Sequence, residues 1–236
     1  MEANRYRYYI SSETMMGPNC VVILEELLNK YPLKVGTDDL VLDLGCGKGL
    51  SSLVIAKETG AKVYAVDLWI TEQENWKRFS EWSIDDKVTP ICEDANNLRF
   101  EERIFSAMIS IDSYHYFGGE VGFFQEKILP LLKDGGEVLI GIPGVKDEYA
   151  AQVEELLSDW LGDDAKMFKS PKTWKGLIGE NERIDSVVTW EMDGFEAAWV
   201  DWLTIGNEHA YKDMLYYERI IKPYTCLVGI YVKLKG

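Results

Sequence analysis

A glycine-rich turn follows the first apolar run of the chain, in the stretch Val41-Leu42-Asp43-Leu44-Gly45-Cys46-Gly47-Lys48-Gly49. Glycine is needed where the backbone takes positive φ, or where a ligand comes so close that a Cβ would clash. The three glycines therefore predict a ligand across the carboxyl end of a strand. Asp43, two residues before the first glycine, favours a cationic ligand over a pyrophosphate. Leu50 stands where a dinucleotide fingerprint has its third glycine.

Two further acids follow the next two apolar runs. Asp67 ends the run beginning at Val63, and a carboxylate there can accept hydrogen bonds from both ribose hydroxyls of an adenosine. Asp94 follows Val88–Cys92 and is placed to accept from the exocyclic amine of adenine. The neighbouring Glu93 leaves that choice open, and a solvated acidic pair is the alternative. The carboxyl ends of parallel strands share one edge of a sheet, so the acids are expected to line one ligand.

These motifs resemble those of the class I S-adenosylmethionine-dependent methyltransferases, whose first motif has the form of residues 41–49. The resemblance covers residues 40–142, including the turn and strand at 131–139, and is vague from 163 onward. It implies an α/β, doubly wound, mainly parallel seven-stranded sheet of the Rossmann-like methyltransferase type, with an antiparallel last strand. It also implies S-adenosyl-L-methionine as cofactor and a direct displacement that moves its methyl group to a small-molecule acceptor. The cofactor contacts that it implies are Asp43, Gly45, Cys46, Gly47, Gly49, Asp67, Leu68, Asp94, Ala95, Ser110 and Ile111.

His115 is the candidate catalytic residue. It lies four residues beyond Ile111, where the fourth strand is expected to end, and a histidine there could take a proton from an acceptor near neutral pH. A hydrogen bond within its own loop is the alternative role. We expect His209 to be structural.

The acceptor pocket is expected from two flanking segments, residues 6–19 and 199–217, which are rich in tyrosine, methionine and tryptophan. The first of them is either a lid or a fixed surface helix. An apolar or aromatic acceptor suits this composition, but the sequence does not choose the acceptor atom. The candidate pocket residues are Tyr9, Met16, Tyr114 and Trp199.

Short apolar runs alternate with amphipathic segments, which predicts β-α units and a parallel sheet. Gly60 is expected to end a helix over Gly49–Thr59, and Thr71 with Glu74 predicts a capping box. Residues 147–161 are predicted as an amphipathic helix, and a helical insert is expected over 195–221, before the last strand. The predicted strands are Leu40–Leu44, Lys62–Val66, Val88–Cys92, Ala107–Ile111, Glu137–Ile142, Ile184–Met192 and Tyr224–Leu234.

Length and composition predict one domain over residues 1–236, with an N-terminal segment (1–35), a cofactor-binding core (36–162) and a C-terminal part (163–236). The net charge of −15 and the lack of a basic cluster disfavour nucleic-acid and anionic-membrane partners. Four scattered cysteines predict neither a metal site nor disulfides, and favour a cytoplasmic protein. A monomer or a homodimer is compatible with these features.

Two other functions remain open at the sequence level. One is a catalytically inactive S-adenosylmethionine-binding module. The other is a nicotinamide-dependent oxidoreductase, which Leu50 and Asp43 disfavour.

Overall fold

The computed structural model describes all residues, 1–236, as helices packed around one seven-stranded sheet. The strands are β1 (Leu40–Leu44), β2 (Lys62–Asp67), β3 (Val88–Cys92), β4 (Phe105–Ile111), β5 (Leu132–Val145), β6 (Ile184–Glu191) and β7 (Thr225–Leu234). The helices are α1 (Cys20–Lys30), α2 (Leu50–Thr59), α3 (Glu72–Glu81), α4 (Val153–Leu161), α5 (Pro171–Ile178), α6 (Phe195–Thr204), α7 (Glu208–Met214) and α8 (Lys222–Tyr224). Every helix is too short or too polar to span a lipid bilayer.

The sheet order is β3-β2-β1-β4-β5-β7-β6, and β1 to β5 pair in parallel. Strand β7 lies between β5 and β6 and is antiparallel to both. The order reverses beside β1, and open α/β sheets bind their ligands at such a switch point, outside the carboxyl ends of the strands. The predicted doubly wound sheet with an antiparallel last strand is confirmed.

The helices cover both faces of the sheet, because the central strands are apolar on both sides. One face carries α1, α2 and Phe79 of α3, and the other carries α5 together with Phe124 and Ile128 of a short π-helical turn. A third apolar cluster joins α4, α6 and α7 beyond the sheet edge and includes Met15 of the N-terminal segment. The flanking segments of the chain are therefore part of the packed molecule.

Local signals set the element boundaries closely. Helix α2 ends at Gly60, whose φ is 73°. Thr71 and Glu74 form the predicted capping box of α3. The helix expected over residues 147–161 is α-helical only from Val153, after a 3-10 segment over Asp147–Gln152. The predicted helical insert consists of α6, α7 and a π-helical turn, Tyr217–Ile221.

Candidate active site

The turn after β1 forms the floor of a cavity of about 400 Å³ at the carboxyl edge of the sheet. Gly45 and Gly47 have φ of 75° and 52°, a conformation that costs glycine little and other residues more. The amides of Gly45 and Cys46 donate to the carbonyl oxygen of Val66 at 2.8 and 3.0 Å. The first turn is thereby fixed against the end of β2.

Asp67 ends β2 and is held by the backbone around it. Its Oδ2 accepts from the amide of Gly47 at 2.8 Å, and its Oδ1 accepts from the amides of Trp69 and Ile70 at 2.8 and 3.0 Å. A carboxylate has about four acceptor positions, so one position, on Oδ2, stays free. The carboxylate lines the cavity and can accept from one ribose hydroxyl, where the sequence suggested two.

The side chains of Asp94 and Glu93 make different hydrogen bonds. The side chain of Glu93 is turned toward Arg99, with its Oε2 accepting from the Arg99 amide at 3.3 Å. Oδ1 of Asp94 accepts from the amide of Asn96 at 2.8 Å and caps a short 3-10 turn. Its Oδ2 has no partner, and both Asp94 and Glu93 line the cavity.

The structure brings most of the predicted cofactor contacts to this cavity. Its lining includes Gly45, Cys46, Gly47, Asp67, Leu68, Asp94, Ala95 and Ile111. Gly49, Asp43 and Ser110 do not line it. Gly49 is the N-cap residue of α2, with φ of 82°, and lies against Phe79.

Asp43 is fully buried beneath the turn rather than exposed in the cavity. Its Oδ2 accepts from the hydroxyls of Ser51 and Ser52 at 2.7 and 2.5 Å, whereas its Oδ1 has no partner. Burial raises the pKa of Asp43 to about 6, although the two serine hydroxyls act in the opposite direction. Asp43 thus joins the end of β1 to the first turn of α2, and its charge can reach a ligand only through the intervening turn.

Ser110 is a second structural brace behind the cavity. Its hydroxyl donates to the carbonyl oxygen of Leu44 at 2.7 Å, and the hydroxyl of Ser113 donates to the same oxygen at 2.9 Å. Because Ser110 is fully buried, these bonds align the ends of β1 and β4. The direct cofactor contact expected for Ser110 is not seen in this geometry.

A second cavity, of about 360 Å³, adjoins the first. The two cavities share five lining residues from the N-terminal segment and the end of β4, namely Met16, Gly17, Pro18, Asp112 and Tyr116. The remaining walls come mostly from the helical insert and the segment around α4, including Trp160, Phe168, Trp199 and Trp202. The flanking segments thus form the second cavity, as the sequence suggested.

The four predicted acceptor-pocket residues have different positions. Met16 and Trp199 line the second cavity. Tyr9 lies outside both cavities and packs its ring edge-on against Trp82, with centroids 5.6 Å apart. Tyr114 is fully buried in the core on the far side of the loop, next to Trp174. The pocket assignments of Tyr9 and Tyr114 are therefore corrected, since a side chain on a loop after a strand can enter either the core or the cavity.

His115 lines the second cavity but in a dry environment. Its ring packs on Tyr116 with centroids 4.0 Å apart and meets Phe168 edge-on, and its Nδ1 has no hydrogen-bond partner. Burial lowers the pKa of His115 to about 3. Such an imidazole is neutral at physiological pH and a weak proton acceptor. A general base at this position would need a pKa of about 6–7. Burial of the imidazole of His115 gives a much lower pKa, which disfavours the general-base role.

Several site residues had no distinct signal in the sequence. Asn75 of α3 donates to the carbonyl oxygen of Gly47 at 2.9 Å and supports the turn from below. Asp112 lies between the two cavities, and Asp213 enters the second from the distant helix α7. Asp112 has positive φ (53°), which is uncommon outside glycine, but neither its sequence neighbours nor its spacing revealed this.

Comparison with known proteins agrees with this geometry. Residues 41–136, which hold the glycine turn and β1 to β4, match the family described as Methyltransferase domain. The sarcosine/dimethylglycine N-methyltransferase of Halorhodospira halochloris is 24% identical over 135 residues, 57% of this chain and 48% of the relative. The aligned region thus spans about half the length of that curated relative.

Solved structures of methyltransferases have the same fold. A geranyl diphosphate C-methyltransferase from Streptomyces coelicolor superposes with a TM-score of 0.68 at 19% identity, over 89% of this chain and 74% of the other. Phosphoethanolamine N-methyltransferase 2 of Haemonchus contortus, in complex with S-adenosyl-L-methionine, gives 0.69 at 21% identity, over 99% and 56%. A methyltransferase of Geobacter sulfurreducens with S-adenosyl-L-homocysteine gives 0.66 at 21%, over 97% and 98%.

The sheet order is that of the Rossmann-like methyltransferase fold, and the glycine turn lies within the residues that match the methyltransferase domain. The match over residues 41–136 is consistent with the class I S-adenosylmethionine-dependent methyltransferases that the sequence motifs resemble.

Proposed function

We propose that this protein transfers a methyl group from S-adenosyl-L-methionine to a small-molecule acceptor. The observation that carries the proposal is the cavity at the carboxyl edge of β1, β2 and β3, where Asp67 keeps a free acceptor position on Oδ2 and Asp94 an unpaired Oδ2, beside the Gly45–Gly47 turn. An adenosine fits these donors and acceptors, with a ribose hydroxyl on Asp67 and the adenine amine on Asp94. Leu68, which is 55% exposed, offers an apolar surface for the base.

The two adjoining cavities account for the two reactants. The cofactor supplies an activated methyl group on sulfur. The protein has to align donor and acceptor and exclude water. The shared wall at Met16, Gly17 and Asp112 is where the two ligands would meet, and tryptophans form part of the wall of the second cavity.

The relatives do not choose the acceptor. By their names, two act on amines and one on a prenyl diphosphate. The nicotinamide alternative has no support from the matched family. We propose an enzyme, and turnover of the donor distinguishes it from an inactive binding module. A cytoplasmic location and a monomeric or homodimeric state remain part of the proposal.

Calorimetric titration with S-adenosyl-L-homocysteine tests the cofactor site. We expect the wild type to bind, and Asp67→Ala to lose about ten- to a hundredfold in affinity, because one charge-assisted hydrogen bond is worth about 1.5–3 kcal/mol. Asp38→Ala is the matched control, since Asp38 is an exposed acid at the opposite edge of the sheet. Equal affinity of Asp67→Ala and the wild type would refute the ribose contact, and no binding to the wild type would refute the cofactor.

A further inference from the structure

The second cavity combines carboxylates with aromatic walls. Four acids line it against one lysine, Lys212. The acids are Asp112, Asp164, Glu208 and Asp213. The aromatic lining residues are Tyr116, Trp160, Phe168, Trp199 and Trp202. Carboxylates and electron-rich ring faces both attract cations, and their effects add where water is excluded.

The indole rings are fixed in place by one of these acids. Asp213 accepts from Nε1 of Trp160 and Nε1 of Trp202, both at 2.8 Å. Both indole N–H groups are thereby used, so these two rings can offer a ligand their faces. Trp199 also lines this cavity, and its buried Nε1 has no hydrogen-bond partner.

Asp112 is the acid nearest to the donor site. Neither of its carboxylate oxygens has a hydrogen-bond partner, and its side chain lies directly against Gly17. A burial cost and the nearby charge of Asp213 raise the pKa of Asp112 to about 8. Without a counter-charge this acid is held largely in its neutral form near pH 7, and a cation bound beside it would supply the counter-charge that favours the carboxylate.

We infer that the methyl acceptor is a small organic amine, bound as its ammonium form among the aromatic rings of the second cavity with its nitrogen at Asp112. This inference rests on the proposed methyltransferase function. Phosphate-bearing or carboxylate-bearing acceptors are disfavoured, because four acids would repel them and a single lysine could not compensate.

The proposed methyl transfer needs only the amine, the methyl donor and the Asp112 carboxylate. The ammonium gives one proton to the Asp112 carboxylate and becomes a free amine. The nitrogen lone pair then forms the new N–C bond while the C–S bond of the donor breaks, and sulfur keeps the bonding pair as a neutral thioether. The product is a methylated ammonium ion, which the same carboxylates stabilise.

Three small molecules of similar shape but different charge test the inference. Phenethylamine is a cation at neutral pH, 2-phenylethanol is neutral and phenylacetate is an anion. We expect the protein saturated with S-adenosyl-L-homocysteine to bind phenethylamine at least tenfold more tightly than the alcohol, and not to bind phenylacetate detectably. Calorimetry measures these affinities.

Charge-removing variants locate the site. Asp112→Asn should lower the affinity for phenethylamine tenfold or more, and Asp164→Asn by about two- to fivefold, since Asp164 is exposed and solvent screens its charge. Asp163→Asn is the matched control, an exposed neighbour that does not line the cavity, and should change nothing. Affinity for the alcohol should be the same in all three variants.

The outcomes separate the two proposals. Failure of the wild type to bind S-adenosyl-L-homocysteine overturns the proposed function itself. If that ligand binds, but phenethylamine binds no better than the alcohol, or Asp112→Asn and Asp164→Asn lose no more affinity for it than Asp163→Asn, the amine inference alone is overturned.

Discussion

A single buried carboxylate, Asp43, links the glycine turn to the pH dependence of stability. Its pKa is raised from 3.8 to about 6 in the folded protein, chiefly by burial. Between these two values the folded state holds a proton that the unfolded state has lost. The free energy of unfolding therefore falls as pH rises through this window, by about 3 kcal/mol at 1.4 kcal/mol per pH unit.

Asp43→Asn should remove this dependence. The amide oxygen of asparagine can accept from Ser51 and Ser52 as the carboxylate does. We expect the stability of the variant relative to the wild type to increase by about 3 kcal/mol between pH 3.5 and pH 7, as measured by urea unfolding. Asp39→Asn is the opposite control, because Ser106 and the Gly36 amide lower the pKa of Asp39. A difference that does not vary with pH would contradict the role assigned to burial.

The environment of the His115 side chain leads to a second prediction. The ring is packed between Tyr116 and Phe168, and its pKa lies near 3. Phenylalanine can occupy the same space, so His115→Phe should leave donor binding intact and lower turnover less than tenfold. A general base would instead contribute about 10²–10⁴-fold. Steady-state rates with any accepted amine decide between these ranges, and a loss above a hundredfold would restore His115 as the base.

The N-terminal segment and the helical insert hold each other over the cavities. The side chain of Asn207, the N-cap residue of α7, accepts from the amide of His209 and donates through Nδ2 to the carbonyl oxygens of Ser12 and Met15. Lys48 adds a bond from the glycine turn to the carbonyl oxygen of Glu13. The N-terminal segment is thus hydrogen-bonded both to the glycine turn and to the helical insert.

Asn207→Asp separates the two functions of that side chain. An aspartate retains the oxygen that caps α7 but loses the amide group that donates to the N-terminal segment. We expect hydrogen exchange of the amides in residues 11–16 to accelerate at least fivefold, because the shorter of the two lost bonds, to Ser12, is alone worth about 1 kcal/mol, while α7 stays protected. Equal acceleration in α7 would show that the cap, rather than the connection, had been lost. Mass spectrometry of the exchanged protein measures both segments.

At the scale of the whole molecule, the net charge of −15 makes a prediction about partners. Nucleic-acid affinity depends on basic side chains that neutralise phosphates. We expect no retention on heparin and no shift of tRNA or duplex DNA at physiological salt. Salt-sensitive binding to any of these would contradict a small-molecule acceptor as the sole partner.

The parallel core and the cavity at the carboxyl edge of the sheet could be predicted from the sequence. The strand boundaries of β1 and β3 agree with the predicted ones, and Asp67, Asp94 and Gly47 reach the cavity as expected. These features depend on local patterns, since an apolar run, a glycine turn and an acid at a strand end each act within a few residues. Their common position follows from the parallel topology alone.

The shape of the second cavity and the placement of several side chains could not be predicted from the sequence. Asp43 and Ser110 form buried hydrogen bonds that connect neighbouring elements, and the side chain of Tyr114 packs in the core. Asp112 and Asp213 are far apart in the chain and line the same cavity only because the helical insert packs beside the end of β4. This arrangement depends on packing between distant segments, and the types and spacing of neighbouring residues do not predict it.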